Sequence, residues 1–546
     1  MPLDRVRRVV FALGVALVAF CRVWLPSGAT TVVGRPEGEL RDHLWLSWVF
    51  ARELWDRHAL PLHTKLAAFP DGLSVYPLDP LHQAAIAMLE PAIGVVAAVN
   101  VVAFLLFAVL VYGGQKLASS AGAGVRAELA CGALAAISPA FLGAFTDTQT
   151  EGMASGWLLL LLAELFSDSP RAGRAALWGC VLLATGPYMA HGVALVCVLA
   201  WVVRRFPLRA SLPVIATALL LGSTLWTTEA GAGGALTARA SQLTSATRPP
   251  RSTPLGVEAP PPLPDDGVVR HAASYPGAAE TGPRRAAPWL FVALFLFSAR
   301  DRRARIPAAL ALAYAAVAAG NRFGGNGEPV AFLTPYEAFW RWMPFAKYAW
   351  KPAQYAVPAT AFALLAVARG WPRDPRRPGL AWLAGAVAIA AVLEATLREP
   401  TPLPLPASTL HPREAWSHLP PGGGAVIEFP CRDRSVPGHP PVADVLLGPL
   451  WHGRALGETP NRGAEGVHAM VLASLEGAIT GHPSRKARPL GAALWEASEA
   501  GFTELLILGN VLGPEATARL KTALIEASVG LPEADGEGVI VVAIRR

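Results

Sequence analysis

Long apolar runs separated by short polar or basic stretches set the character of this chain. The first extends from about Val9 to Leu25 and follows Arg5, Arg7 and Arg8. Others fall near 92–115, 127–145, 152–167, 175–189, 190–203, 210–228, 287–299, 305–320, 354–369 and 379–397. Apolar runs approaching ~20 residues predict helices that cross a bilayer. Several of these are shorter, so they must extend into their flanks or break within the membrane. The interval 81–91 predicts a short interfacial helix. The basic start and the small residues near Ser27 and Ala29 also fit a signal peptide. The many spans that follow favour an uncleaved helix.

Basic residues fall in every second loop: Lys116 with Arg126, Arg171 with Arg174, and Arg204, Arg205 with Arg209. Arg300, Arg302, Arg303 and Arg305 follow, then Arg369, Arg373, Arg376 and Arg377. Cations concentrate on the cytoplasmic side of membrane proteins. The alternation therefore predicts about eleven spans, with the N-terminus cytoplasmic and the C-terminus periplasmic, as in a multi-pass protein of a bacterial inner membrane. The loop 26–91 is then outside, as are those around Asp147 and Glu151, 229–286 and 321–353. The loop 229–286 carries Pro-rich stretches such as Ala259-Pro-Pro-Pro-Leu-Pro-Asp-Asp266. Such composition cannot bury a core, so a flexible lid or unstructured insert is expected.

From about Glu399 the pattern changes. Ala425–Phe429, Glu504–Leu508 and Gly538–Ala543 read as strands, while Pro489–Ala500 and Pro514–Ser528 have helical spacing. Alternating strands and helices predict a small α/β domain over 399–546, following a transmembrane part over 1–398.

Composition agrees with this division. Of 546 residues, 53% are hydrophobic and 16% charged, and the mean hydropathy is +0.38. Soluble domains usually carry about 25% charge. The net charge of +7 resides mainly in the basic loops and does not point to nucleic acid. Cys21, Cys131, Cys180 and Cys197 lie in apolar runs and Cys431 in the tail, so neither a disulfide framework nor a metal spacing is visible.

Candidate chemistry gathers in three outer patches. The first is Arg41-Asp42-His43-Leu-Trp45-Leu-Ser-Trp48. Asp42 reads either as an interfacial carboxylate paired with Arg41 or Arg35, or as a general base. A carboxylate at an apolar boundary is pushed towards a higher pKa, which suits proton abstraction from a hydroxyl. Trp45 and Trp48 share roughly one helix side with Asp42 and read as interfacial belt residues or as a sugar-stacking surface. His43 reads as solvent-facing or as a phosphate contact. Asp56, His58 and His63 match no specific ligand spacing. Asp71 reads as a turn residue and Asp79 as a helix cap.

The second patch is Asp147-Thr-Gln-Thr-Glu151, where Glu151 enters a span. It reads as a site carboxylate or as one favoured by the helix macrodipole. The third joins Arg341, Lys347 and Lys351 to many aromatics. Outside cations run against the usual bias, so they read as phosphate contacts or as snorkelling anchors.

Taken in order, these pieces resemble a known group. Arg41-Asp42-His-Leu-Trp45 is followed by Phe69-Pro-Asp-Gly72, Asn100, Ile137-Ser-Pro139, Gln149-Thr-Glu151, Gly156-Trp157-Leu and Trp350-Lys-Pro-Ala-Gln-Tyr355. The chain resembles bacterial membrane glycosyltransferases of the GT-C fold, in particular a branch with a C-terminal periplasmic domain. The resemblance implies a polyprenyl-phosphate-linked sugar donor and a periplasmic acceptor (a glycolipid, polysaccharide or protein). It implies Asp42 as catalytic base, Glu151 or Asp147 as a second acid or ligand of a divalent metal, and Lys351 as donor-phosphate contact, with Lys347 and Arg341 nearby. The branch tends to show Arg-x-Pro-x-Arg at the last site, where this chain has Lys351-Pro-Ala-Gln354. A second class of function is a non-enzymatic polytopic protein, such as a lipid or polysaccharide translocator or an envelope assembly factor. A translocator would carry ionisable groups at mid-membrane. The gathering of acids at one face favours the transferase.

Overall fold

The computed structural model describes residues 2–26, 29–35, 40–59, 61, 63–66, 69–70, 72–74, 79–146, 148–231, 288–318, 355–373, 378–397, 403–410, 416, 419, 424–430, 449–452, 454–455, 466–527, 533–534 and 539–544. The chain divides into two compact units. One comprises Met1–Leu40 and Pro77–Thr409, the other Arg41–Tyr76 and Leu410–Arg546.

The first unit is a helical bundle built on the 41-residue helix Pro80–Ser120. Helices Pro2–Ala19, Val125–Ile137 and Ser155–Leu165 pack directly against it. Its backbone departs from helical geometry at Gly94 (φ 78°, ψ 159°), a left-handed conformation that glycine tolerates. That break separates the interfacial stretch expected over 81–91 from residues 95–120, which rise about 39 Å at 1.5 Å per residue.

Glycines bring the bundle's backbones close together. A Cβ on Gly156 would lie 2.7 Å from Leu110 N, and one on Gly114 would lie 2.6 Å from Cys131 O. Without a hydrophobic force between helices in lipid, such close packing supplies much of the association energy. Large apolar side chains remain exposed along the outer helices, among them Val198, Val202, Leu219, Leu220, Leu312, Ile389 and Leu393. An apolar surface of this extent suits a lipid environment.

Among the described residues, Pro80–Ser120 and Gly379–Leu397 are long and apolar enough to cross a membrane. Val125–Ile137 and Pro139–Thr146, bent by 48°, add a third if they count as one span. Shorter apolar helices of 10–17 residues include Gly152–Leu165, Ala172–Thr185, Met189–Val203 and Ala356–Gly370. Residues 232–286 of the Pro-rich stretch lie outside the described residues.

The two ends of this bundle differ chemically. At the Ser120 end of the long helix, Arg7 Nη2 reaches Glu128 Oε2 at 2.7 Å and Arg8 Nη2 reaches Glu128 Oε1 at 2.9 Å. Arg8 also donates to Ser119 Oγ at 2.9 Å. Arg369 donates to the Phe166 carbonyl and Arg373 to the Ala121 carbonyl.

At the Pro80 end, the strand Thr31–Val33 pairs antiparallel with Ala407–Thr409. Its other edge is closed by a side chain. Asn100 Oδ1 accepts from Val33 N at 3.0 Å, and Asn100 Nδ2 donates to Thr31 O at 2.7 Å. The fully buried Asn100 amide thus takes the place of a neighbouring strand.

The second unit holds a four-stranded mixed sheet. Ala425–Phe429 runs parallel to Phe502–Leu508, which pairs antiparallel with Val539–Ala543, and Glu533–Ala534 closes the edge antiparallel. Helices Gly466–Thr480, Leu490–Ala500 and Pro514–Glu526 accompany it. Residues Arg41–Tyr76 belong to the same unit: the ring of Phe69 meets Phe502 edge-on at 5.2 Å. Gly501, at φ +99°, ends helix Leu490–Ala500 in the left-handed conformation. A Cβ there would come within 3.1 Å of Phe69 Cζ.

Candidate functional site

Asp42 stands in the first turn of helix Leu40–Trp55, where the exposed N–H groups favour a carboxylate. It is half-buried. The middle of the helix is buried nearly all round, with Leu44, Trp45, Ser47, Trp48, Val49, Phe50 and Ala51 all in the interior. His43, expected to face solvent, is 8% exposed. Trp45 is 1% exposed and Trp48 4%, so neither ring stands free as an interfacial belt or stacking surface. The indole N–H of Trp45 is buried without a hydrogen-bond partner, which is uncommon for a buried donor.

Further along, Glu53 is buried and accepts from Thr64 Oγ1 at 2.6 Å and from Arg57 Nη1 at 3.0 Å. Asp56 faces Arg52 at 3.4 Å, and His58 sits in a turn at φ +51°. Among the described residues, no three His, Cys, Asp or Glu side chains gather as metal ligands would. Asp71, Asp147, Arg341, Lys347, Lys351 and Gln354 lie outside the described residues.

Glu151 belongs to the other unit, in the segment between helices Pro139–Thr146 and Ser155–Leu165. It is half-buried, and its backbone is fixed from several directions. Upstream, Arg35 N donates to Thr146 O at 2.8 Å. Thr148 Oγ1 donates to Val33 O at 2.6 Å. Thr148 adopts φ +59°, a conformation that costs a β-branched residue ~1–3 kcal/mol and persists where its surroundings enforce it. The approach is so close that a Cβ on Gly34, at φ +121°, would lie 2.1 Å from Thr148 Oγ1.

Downstream, the break between helices Ala172–Thr185 and Pro187–Val203 presses on the same segment. A Cβ on Gly186 would lie 2.7 Å from Ala154 Cβ and 3.1 Å from Glu151 O.

The residue before Glu151 is held by the first turn of the long helix. His82 Nδ1 lies 3.0 Å from the Thr150 carbonyl. Gln83 Nε2 donates to Thr150 Oγ1 at 3.0 Å and to Asp79 Oδ1 at 3.2 Å. Trp157 Nε1 donates to His82 Nε2 at 3.3 Å, and its ring stacks on Trp178 with centroids 5.7 Å apart. Asp79, His82, Gln83 and Thr150 are each at most 4% exposed.

Asp79 therefore differs from the helix cap read from the sequence. It occupies the cap position but makes no side-chain capping bond. Its carboxylate accepts from Gln83 instead, with Oδ2 3.7 Å from His82 Nδ1. His82 and Gln83 were not singled out by their sequence. The available signal was polar side chains at 79, 82 and 83, the i, i+3, i+4 spacing of one helix face, directly before a long apolar run.

No family model matches this chain, and no curated protein sequence matches it either. Solved structures do. The arabinofuranosyltransferase AftD from Mycobacteria is 15% identical, with a TM-score of 0.52 over 99% of this chain. The chain spans 40% of the length of that protein. The Archaeoglobus fulgidus oligosaccharyltransferase, tethered to an acceptor peptide, is 11% identical, with a TM-score of 0.45 over 99% of this chain and 74% of its own. ArnT from Cupriavidus metallidurans, bound to undecaprenyl phosphate, is 13% identical, with a TM-score of 0.41 over 99% and 98% of the two chains. The chain has the GT-C fold of membrane glycosyltransferases, as its similarity to AftD shows.

Proposed function

We propose that the chain is an inverting glycosyltransferase of a bacterial inner membrane. It moves a sugar from a polyprenyl-phosphate donor to a periplasmic acceptor. The observation that carries this reading is the likeness to AftD, an arabinofuranosyltransferase, along 99% of the chain. The cationic end of the bundle, with Arg7, Arg8, Arg369 and Arg373, supports a cytoplasmic assignment for that end. The end carrying Glu151 is then periplasmic, and the tail 399–546 is assigned to the same side.

In this reading Asp42 takes the proton of an acceptor hydroxyl. The freed oxygen bonds to the anomeric carbon of the donor as the bond from that carbon to the phosphate oxygen breaks. Polyprenyl phosphate departs with the electron pair. Lys351, with Lys347 and Arg341, holds the phosphate through charge-assisted hydrogen bonds as its charge grows. Glu151 orients the acceptor. His43 and Asp147 are assigned as further substrate contacts in this reading. Placement of Asp42 in a first helical turn supports its role, because a base must be ionised to act.

Purified full-length protein in nanodiscs, given radiolabelled polyprenyl-phosphoryl arabinofuranose and an envelope glycan extract, tests the proposal. Wild-type protein should transfer label. Asp42→Asn should lower the rate about 10²–10⁴-fold, the usual contribution of a general base, with unchanged yield and melting temperature. Full activity in Asp42→Asn sinks the assignment of the base. A Lys351→Ala variant with an unchanged KM for the donor sinks that of the phosphate contact.

A further inference from the structure

The geometry points to His82 as a positioning residue for Glu151, acting through the backbone of Thr150. This inference rests on the proposed role of Glu151.

A backbone carbonyl only accepts hydrogen bonds and an indole N–H only donates. Between them, the two fix the state of the ring. Trp157 Nε1 donates to His82 Nε2, so Nε2 is unprotonated, and the proton lies on Nδ1, facing Thr150 O at 3.0 Å. The two partners set the tautomer of the ring. Asp79 Oδ2, 3.7 Å from Nδ1, adds a favourable charge on the donor side. Gln83 grips the hydroxyl of the same threonine at 3.0 Å. Thr150 is thus held at both its carbonyl and its side chain by one turn of a buried helix.

On the other side of Gln149, Thr148 is held to Val33 O. The next residue after the double grip is Glu151, whose own carbonyl packs against Gly186. A carboxylate on a connecting segment gains precision only when its backbone is fixed. A displacement of about 1 Å in a positioned group costs roughly 10²-fold in rate. The chain places side-chain restraints one and three residues before Glu151.

A kinetic cycle on the full-length protein in nanodiscs tests this, with radiolabelled polyprenyl-phosphoryl arabinofuranose as donor. His82→Leu, which removes the donor to Thr150, should lower kcat at least tenfold and leave the donor KM within about twofold. His82→Asn places an amide N–H near the Nδ1 position and should recover most of that loss. In a Glu151→Gln background, His82→Leu should cost no more than about twofold further, because a residue acting through Glu151 has nothing left to position. Full additivity overturns the inference and leaves the transferase reading intact, and so does a normal kcat in His82→Leu. Hydrogen exchange supplies a readout independent of catalysis. His82→Leu should speed exchange of the amides of residues 150–153 at least tenfold, while the amides of 100–118 stay protected. Unchanged exchange at 150–153 overturns the inference whatever the activity. If no variant and no wild-type protein transfers sugar while the exchange pattern appears, the transferase reading fails and the restraint on this segment stands.

Discussion

The indole N–H of Trp157 donates to Nε2 of His82 at 3.3 Å, and together with the Thr150 carbonyl 3.0 Å from Nδ1 it determines which nitrogen of the imidazole carries the proton. Trp157→Phe keeps an aromatic ring against Trp178 and removes the N–H. The variant should lose about 1 kcal/mol of stability, the net value of a typical intramolecular hydrogen bond. Isotope-edited histidine NMR in detergent checks the chemistry directly. His82 should be the Nδ1–H tautomer in the wild type and should stay mainly so in Trp157→Phe, because the Thr150 carbonyl still accepts from Nδ1. An Nε2–H tautomer in the wild type would contradict the assigned network.

Gly34 meets Thr148 too closely for any other residue. Its φ of +121° is unfavourable for an L side chain, and the new Cβ would overlap Thr148 Oγ1. Gly34→Ala should therefore cost about 2–4 kcal/mol, overpacking and backbone strain together. Combining it with Thr148→Gly removes the overlap and should restore part of the loss, since residues in contact do not add independently. Melting temperatures of the two single variants and the double variant read this out. Strict additivity would mean that the two positions do not meet.

Much of the bundle was legible because apolar runs report burial in lipid or core directly. The break at Gly94 falls a few residues inside the apolar run read from 92, and the strand Ala425–Phe429 is visible as a short apolar run. Long-range pairing was not legible. Nothing local in Thr31–Val33 states that its partners are Ala407–Thr409 and the side chain of Asn100. The restraint on Thr150 was hidden for a similar reason. His82 and Gln83 look like ordinary polar residues of an interfacial helix until position 150 is brought to them. The burial of His43 and Trp45 likewise depends on packing around helix Leu40–Trp55 that residue type alone does not encode.

Glu128 ties the first helix to the bundle. It accepts from Arg7 and twice from Arg8 while being 6% exposed. Glu128→Gln keeps the shape and removes the charge, and should destabilise by about 1–3 kcal/mol, the range for hydrogen bonds to charged groups. Because the carboxylate is shielded from water, the loss should vary little with ionic strength. Thermal unfolding in detergent at low and high salt checks both statements. A loss that vanishes in high salt would mark the contact as a screened surface pair.

Asn100 supplies one acceptor and one donor to a strand edge, and no other side chain of its size offers both in that arrangement without ionising. Asn100→Leu leaves Val33 N and Thr31 O buried without their partner. At about 1–3 kcal/mol for each of the two unsatisfied groups, the loss should reach roughly 2–6 kcal/mol. Asn100→Asp separates the two halves of the interaction. An ionised carboxylate still accepts from Val33 N but turns a second oxygen towards the Thr31 carbonyl, and the two repel. A protonated carboxyl again offers one donor and one acceptor. The deficit of Asn100→Asp relative to wild type should therefore be widest where the new group is ionised and should shrink as acidification protonates it. The deficit of Asn100→Leu should not follow pH in this way. Melting temperatures of the three proteins across an acidic pH series decide the matter. Parallel curves for the two variants would show that hydrogen bonding to Thr31 and Val33 is not what Asn100 contributes.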